Sequence, residues 1–199
     1  SPRLHAALRQ QGLYCSHKRV ARLMRQQGIH SRRRPKRRVR TTDSRHNRPV
    51  APNLLKRDFS AEAPNEKWLG DSVGIWTDEG WLYLAALLDT YSRLMVGWAM
   101  IVYRDEALVT DALRMALARR DLSQAADLIQ HTDRGSQYTA DDYLALLKAH
   151  GIQVSMSDKG NPYDNAMMES FFSTLRAELT DLEHFATRQA ARTAVFGFI

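Results

Sequence analysis

Three acids stand where acids are costly. Asp71 falls in a stretch, Leu69 to Val73, that is otherwise fit for burial. Asp133 ends the fourth predicted strand and opens the loop Asp133-Arg134-Gly135-Ser136-Gln137. Glu169 lies beside an apolar stripe of Met168, Phe172, Leu175 and Leu179. Desolvating a carboxylate is expensive without a partner, and three gathered together raise one another's pKa unless cations sit between them. Magnesium resolves that conflict, because it takes hard oxygen ligands, keeps several waters and needs only a few carboxylates. Two such ions roughly 4 Å apart activate the attacking oxygen and stabilise the leaving one in phosphodiester displacement. Taken singly, each acid reads as a strand-end or solvated helix residue. The three together, behind a basic arm, point to Mg2+, with Mn2+ able to substitute. His131 shares a strand face with Asp133 and reads as a satisfied core histidine. His5, Cys15, His17 and His30 match no common zinc spacing.

The elements that must position these acids follow from periodicity. Lys67–Trp76, Trp81–Asp89 and Leu94–Val102 read as strands, the first two forming a hairpin across Asp78-Glu79-Gly80. A helix from about Asp105 to Arg120 carries Leu108, Val109, Ala112, Leu113, Ala116 and Leu117 on one face. Asp127–Thr132 and Ile152–Met156 are short strands around a helix that Thr139 is expected to cap and Gly151 to end. Asn161-Pro162 supplies a cap and a first-turn proline for a long helix through about Leu179. The order β-β-β-α-β-α-β-α predicts a three-layer α/β domain on a mixed five-stranded sheet. The closing run Val195-Phe196-Gly197-Phe198-Ile199 reads as a strand or helix cut short, so a fragment is expected.

Charge divides the chain. Residues 1–50 hold 15 Lys or Arg against the single acid Asp43, whereas residues 51–199 hold 14 basic and 21 acidic residues. Such asymmetry points to a polyanion partner for the arm. An anionic membrane surface fits less well, for the arm lacks the apolar face of an interfacial helix. Residues 2–11 predict a short helix with Leu4 and Leu8 inside; Ser16 then caps a second, His17 to about Gln27, bearing Lys18, Arg19, Arg22 and Arg25. This is a helix-turn-helix candidate, its plainer alternative a helical hairpin with a solvated basic face. Residues 32–40 are seven-ninths cationic (Arg32, Arg33, Arg34, Lys36, Arg37, Arg38, Arg40), expected to be extended when free and to release counterions on DNA. Pro49, Pro52 and Pro64 mark the rest of a linker to about residue 65. With one cysteine, no apolar leader and no run of 18 apolar residues, the sequence is expected to be cytoplasmic.

Two motifs carry a resemblance. His131-Thr132-Asp133-Arg134-Gly135-Ser136-Gln137-Tyr138 and Lys159-Gly160-Asn161-Pro162-Tyr163-Asp164-Asn165-Ala166-Met167-Met168-Glu169-Ser170-Phe171-Phe172 closely resemble the OrfB transposases of the IS-three group of bacterial insertion sequences, members of the retroviral-integrase superfamily. Trp68, Gly80 to Leu84, Asp89 to Arg93 and Gly97-Trp98 match the family's opening strands. Thirty-five residues separate Asp133 from Glu169, which is the family's spacing. The resemblance implies a ribonuclease-H-like core over 66–199, incomplete at its C-terminus, a helix-turn-helix-like segment over 1–31, incomplete at its N-terminus, and a linker over 32–65. It implies that Asp71, Asp133 and Glu169 are catalytic metal ligands for two ions, and that Asp89 is structural. Arg176 is then expected to hold a terminal DNA phosphate, and Asn165 to orient DNA or a metal-bound water. Arg134 and Lys159 join the arm's cations as expected DNA contacts. Ser72, Val73 and Gly74 depart from the family's pattern after Asp71, and Asp158 stands where a basic residue is common.

By resemblance, the enzyme is a Mg2+-dependent polynucleotidyl transferase. It cuts the element's DNA end and transfers the exposed 3′-hydroxyl to another strand. The expected partners are double-stranded DNA of element ends and target, further copies of the chain on DNA, and an OrfA-type protein supplied by frameshift fusion. Its expected setting is the bacterial nucleoid. A DNA-binding protein without catalysis and a ribonuclease-H-type nuclease without strand transfer are the alternatives.

Overall fold

The computed structural model describes residues 2–29, 49–123, 127–158 and 161–199, and the chain divides into two units, Ser1–Arg40 and Thr41–Ile199. The cationic run from Arg32 to Arg40, His30 and Lys159 lie outside the described residues.

In the first unit, helices α1 (Pro2–Gln10) and α2 (His17–Gln26) form the expected hairpin. Ser16 accepts the Arg19 N–H at 3.2 Å, satisfying one of the donors that a helix start leaves over. Gly12 and Gly28, at φ 79° and 65°, close the two helices in the left-handed region that glycine tolerates. Val20 is buried and Leu8 half-buried, but Leu4, expected inside, stays exposed. A hairpin of two short helices has too little surface to cover both stripes. His5 and His17 meet edge to face at 5.7 Å, and the His5 ring bonds the Cys15 carbonyl at 2.9 Å, so these residues hold the turn together.

The second unit is built on strands β1 (Lys67–Thr77), β2 (Gly80–Asp89), β3 (Met95–Ile101), β4 (Ile129–Thr132) and β5 (Gln153–Met156), in the order β3-β2-β1-β4-β5. The first three pair antiparallel and β1-β4-β5 parallel, giving the mixed sheet that the element order requires. Alternation along the strands splits the core into two layers. Trp68, Leu87 and Val96 pack with helices α3 (Glu106–Arg119) and α4 (Asp141–Ala149). Leu69, Val73, Leu84 and Leu88 pack with helices α5 (Ala166–Leu175) and α6 (Arg188–Phe198) on the other face. Each layer removes a continuous apolar surface from water, the main driving force for the three-layer stack. At Gly97 the α3 backbone comes so close that an added Cβ would lie 2.3 Å from the Ala112 carbonyl oxygen.

Several local expectations are corrected. Thr139 does not cap α4; it ends a 3-10 turn, Ser136–Thr139, and its hydroxyl donates to the Ser136 carbonyl at 3.0 Å. Asn161 makes no cap bond either, and the predicted long helix comprises a 3-10 turn (Pro162–Asn165), α5 and a π turn (Arg176–Thr180). The closing run belongs to α6, whose start Thr187 caps through the Ala190 N–H at 3.1 Å. The proline-marked stretch before β1 is integral to the second unit. Leu55 is buried in the α5–α6 layer, the Pro52 carbonyl accepts the Met156 N–H at 3.3 Å, and the Leu54 N–H donates to Ser155 Oγ at 2.9 Å. Prolines restrict the chain here without making it a spacer.

Candidate active site

The acids are brought together by strand register. Lys67, Trp68 and Leu69 of β1 pair in parallel with Ile129, Gln130 and His131 of β4. Two further residues along each chain lie Asp71 and Asp133, on the same sheet face by the period of two. Glu169 projects from the first turn of α5, which packs on that face. The electrostatics agree. The Asp71 carboxyl is pushed up to about 7, first by burial, then by the negative charge of Asp133, with Glu169 adding to the same push. Burial also raises the Glu169 carboxyl, although its side chain stands exposed.

Each aspartate is aimed by the backbone. The Ser72 N–H donates to Asp71 Oδ1 at 2.7 Å, and the Gly135 N–H donates to Asp133 Oδ1 at 2.9 Å. Such bonds fix the direction in which a carboxylate presents itself. Among the described residues, no group of three or more His, Cys, Asp or Glu is drawn close enough to hold one metal ion. The side chains whose charges act on one another here, Asp71, Asp133 and Glu169, are all carboxylates, the chemistry suited to Mg2+ or Mn2+ rather than to zinc.

Two site residues were not predicted from sequence. Arg104, between β3 and α3, donates from Nε to Ser72 Oγ at 3.1 Å, and its charge opposes the rise of the Asp71 pKa. Tyr138 is buried, its hydroxyl has no hydrogen-bond partner among the described residues, and its ionisation is raised by burial and then by the charges of Asp71 and Asp133. Arg104 carries no local signal, whereas Tyr138 closes the motif that begins at His131, though nothing in its spacing assigned it a role.

The remaining expectations divide. His131 is buried between Ser155 Oγ at 2.8 Å and Ser157 Oγ at 3.0 Å, and burial lowers its pKa to about 4. It is the satisfied core histidine that its strand face suggested. Asp89 is fully buried and accepts the Asn65 and Ser92 N–H groups at 3.0 and 2.9 Å, a structural carboxylate at the end of β2. Asn165, expected to orient DNA or a metal-bound water, is buried and donates its side-chain N–H to the Gly70 carbonyl at 3.1 Å. Arg134 turns toward the protein, donating to the Ser157 carbonyl at 2.7 Å and pairing with Asp158 at 3.4 Å. That ion pair gives Asp158 a physical role at a position where a basic residue was expected. Arg176 opens the π turn and is half-buried. On α2, Lys18, Arg19, Arg22 and Arg25 are all exposed.

Comparison with known proteins accords with this geometry. A family described as integrase core domain matches residues 61–162, a second of the same description matches 150–198, and an HTH-like domain matches 1–37. The transposase InsF for insertion sequence IS3A of Escherichia coli (strain K12) is 46% identical over 200 residues, spanning 100% of this chain and 68% of that protein. The transposase for insertion sequence element IS904 of Lactococcus lactis subsp. lactis (strain IL1403) is 42% identical over 201 residues, with 99% and 77% covered. Among solved structures, the simian T-cell lymphotropic virus intasome in complex with PP2A regulatory subunit B56 gamma is similar at TM-score 0.56 and 17% identity, over 96% of this chain and 63% of that one. At that identity the likeness speaks for the fold alone.

Proposed function

Because this chain belongs to the IS3-family insertion-sequence transposases and carries an integrase core domain, we propose that it cuts a phosphodiester at an element end and joins the exposed 3′-hydroxyl to a second DNA strand. The observation that carries this reading is electrostatic. Asp71 is pressed by the negative charge of both Asp133 and Glu169, which reach it from a strand end and a helix. Such a set fits a hard divalent cation, which Asp71, Asp133 and Glu169 would hold. Bound there, Mg2+ or Mn2+, two ions in the expected stoichiometry, supplies polarisation of the phosphate and neutralisation of developing charge.

The chain's own residues do the positioning. Backbone N–H groups of Ser72 and Gly135 set the orientation of the two aspartates. Arg104 balances part of the negative charge around Asp71. Arg176, two helical turns beyond Glu169, holds the terminal phosphate of the cut strand. The exposed cations of α2 and the run from Arg32 to Arg40 neutralise duplex phosphates, fixing register without reading sequence. Double-stranded DNA of element ends and target, further copies of the chain, and an OrfA-type protein are its partners. No helix among the described residues is long and apolar enough to cross a membrane, and the bacterial nucleoid is the place of action.

The test uses a labelled element-end duplex and a target plasmid in Mg2+. Joined products are expected, falling at least about 100-fold in Asp71→Asn, Asp133→Asn and Glu169→Gln variants. Cut but never joined DNA would leave a nuclease. DNA binding without either product would leave a binding protein.

A further inference from the structure

Five residues before Glu169 sits a carboxylate that the proposed chemistry does not use. Asp164, in the 3-10 turn Pro162–Asn165, is 1% exposed, and a buried charge is tolerated only when its lone pairs are engaged. Here both oxygens are engaged twice. Oδ2 accepts the Asp158 N–H at 2.9 Å and Asn53 Nδ2 at 3.0 Å; Oδ1 accepts Asn161 Nδ2 at 2.9 Å and Arg57 Nε at 3.1 Å. The Arg57 guanidinium also lies over the Tyr163 ring, 5.6 Å from its centroid. Two of the four donors therefore come from the stretch preceding β1, more than a hundred residues away in sequence.

That stretch is strained in order to reach. Lys56 and Arg57 both adopt left-handed backbone, at φ 47° and 65°, and neither is glycine. Left-handed backbone crowds a Cβ against the following carbonyl, and two such residues in succession persist only where the surroundings over-determine them. The Asn53 side chain accepts the Lys56 N–H at 2.9 Å and closes this turn, which aims Arg57 at Asp164. The next residue after Asp164 points elsewhere: Asn165 holds the carbonyl of Gly70, beside Asp71. Consecutive side chains thus pin the start of α5 from two directions, one helical turn ahead of Glu169.

We propose that Asp164 is a positioning residue for Glu169, and that Asn53 and Arg57 act through it, so that the segment before β1 sets the distance between the helix-borne acid and the strand-borne pair. This rests on the reading of Glu169 as a metal ligand. Losing an outer partner of a metal ligand weakens metal binding about 10- to 100-fold. Arg57 is the residue to change, since its side chain is 57% exposed and its loss leaves the fold's core untouched.

Mn2+ affinity of the full chain is measured by electron paramagnetic resonance for wild type, Arg57→Ala, Arg57→Lys, Asp133→Asn and Glu169→Gln, with melting temperatures alongside. Wild type binds, and Asp133→Asn and Glu169→Gln lose binding. Arg57→Ala is expected to weaken Mn2+ roughly tenfold, with Arg57→Lys returning to within about threefold of wild type. Wild-type affinity in Arg57→Ala, with the Asp133 and Glu169 controls behaving as stated, overturns the positioning role alone. So does weakened binding that Arg57→Lys does not restore. Undiminished binding in Glu169→Gln, or none in wild type, overturns the metal reading itself and the positioning role with it.

Discussion

Asn165 donates its side-chain amide to the carbonyl of Gly70 at 3.1 Å, which ties the start of α5 to the strand residue immediately before Asp71. The bond is buried, and on the opposite sheet face a Cβ at Gly70 would lie 2.7 Å from Gln130 Nε2. Strand and helix are joined at the point where their acids must converge. Removing one partner of a buried hydrogen bond costs about 1–3 kcal/mol, since the other is left unsatisfied. Asn165→Ala is therefore expected to lower unfolding free energy by that amount in urea titrations, and to lower the joining rate by more than the lost stability explains. Unchanged stability would show that the bond carries nothing.

The acid pair has a signature in stability against pH. The Asp71 carboxyl, held at about 7 in the folded chain, binds a proton that the unfolded chain releases near pH 4. Between those values the folded state holds more protons, so this group makes stability fall as pH rises. In metal-free buffer at pH 8, Asp71→Asn is expected to raise the melting temperature by about 3 °C or more while abolishing joining. A lower melting temperature in that variant would contradict a repelled, buried carboxylate.

His131 acts in the opposite sense. Its pKa falls to about 4 because burial disfavours the cation, so the unfolded chain takes up a proton first as pH drops through 6.5. Its contribution to stability is complete above pH 6.5 and is lost as pH falls toward 4. The two groups oppose each other in wild type. In Asp71→Asn the histidine limb stands alone, and melting temperature should climb from pH 4.5 to 6.5 in that variant more steeply than in wild type. Equal slopes would mean that one of the two assignments is wrong.

Much of this was legible in sequence, and what was not has a physical reason. The strand and helix periods gave the sheet, because burial on one face or both leaves a local pattern along β1, β2 and α3. Asp71, Asp133 and Glu169 stood out as candidates through their joint order of strand, strand end and helix behind a basic arm. The packing of Leu55 was not, since three prolines and a few scattered apolar residues look like a spacer when their partners, Ser155 and Met156, lie about a hundred residues on. Arg104 was equally silent, and Tyr138 showed only as the end of the motif that begins at His131. Asn165 has the helical spacing of a surface contact, yet it turns inward to the Gly70 carbonyl, a partner 95 residues away that no local pattern announces.

Two glycines give a contrast that tests the packing of the second unit. A Cβ at Gly97 would meet the Ala112 carbonyl oxygen at 2.3 Å and the Ala116 nitrogen at 2.7 Å, both backbone atoms that cannot rotate away. Gly97→Ala is expected to destabilise by about 2 kcal/mol or more, by forcing α3 off the sheet. At Gly197, within α6, a Cβ would meet nothing within 4 Å, so Gly197→Ala should stabilise by about 0.5 kcal/mol through helix propensity. Chemical denaturation of both variants checks the pair, and similar effects at the two sites would contradict the packing described.

The central claim is that Asp71 and Asp133 form one metal-binding pair. The direct measurement is anomalous diffraction from crystals of this chain soaked in Mn2+, alongside crystals of its Asp133→Asn variant. The account predicts a peak between the two aspartates in wild type that disappears in the variant. No peak in wild type under saturating Mn2+, or a peak that survives the substitution, would contradict it.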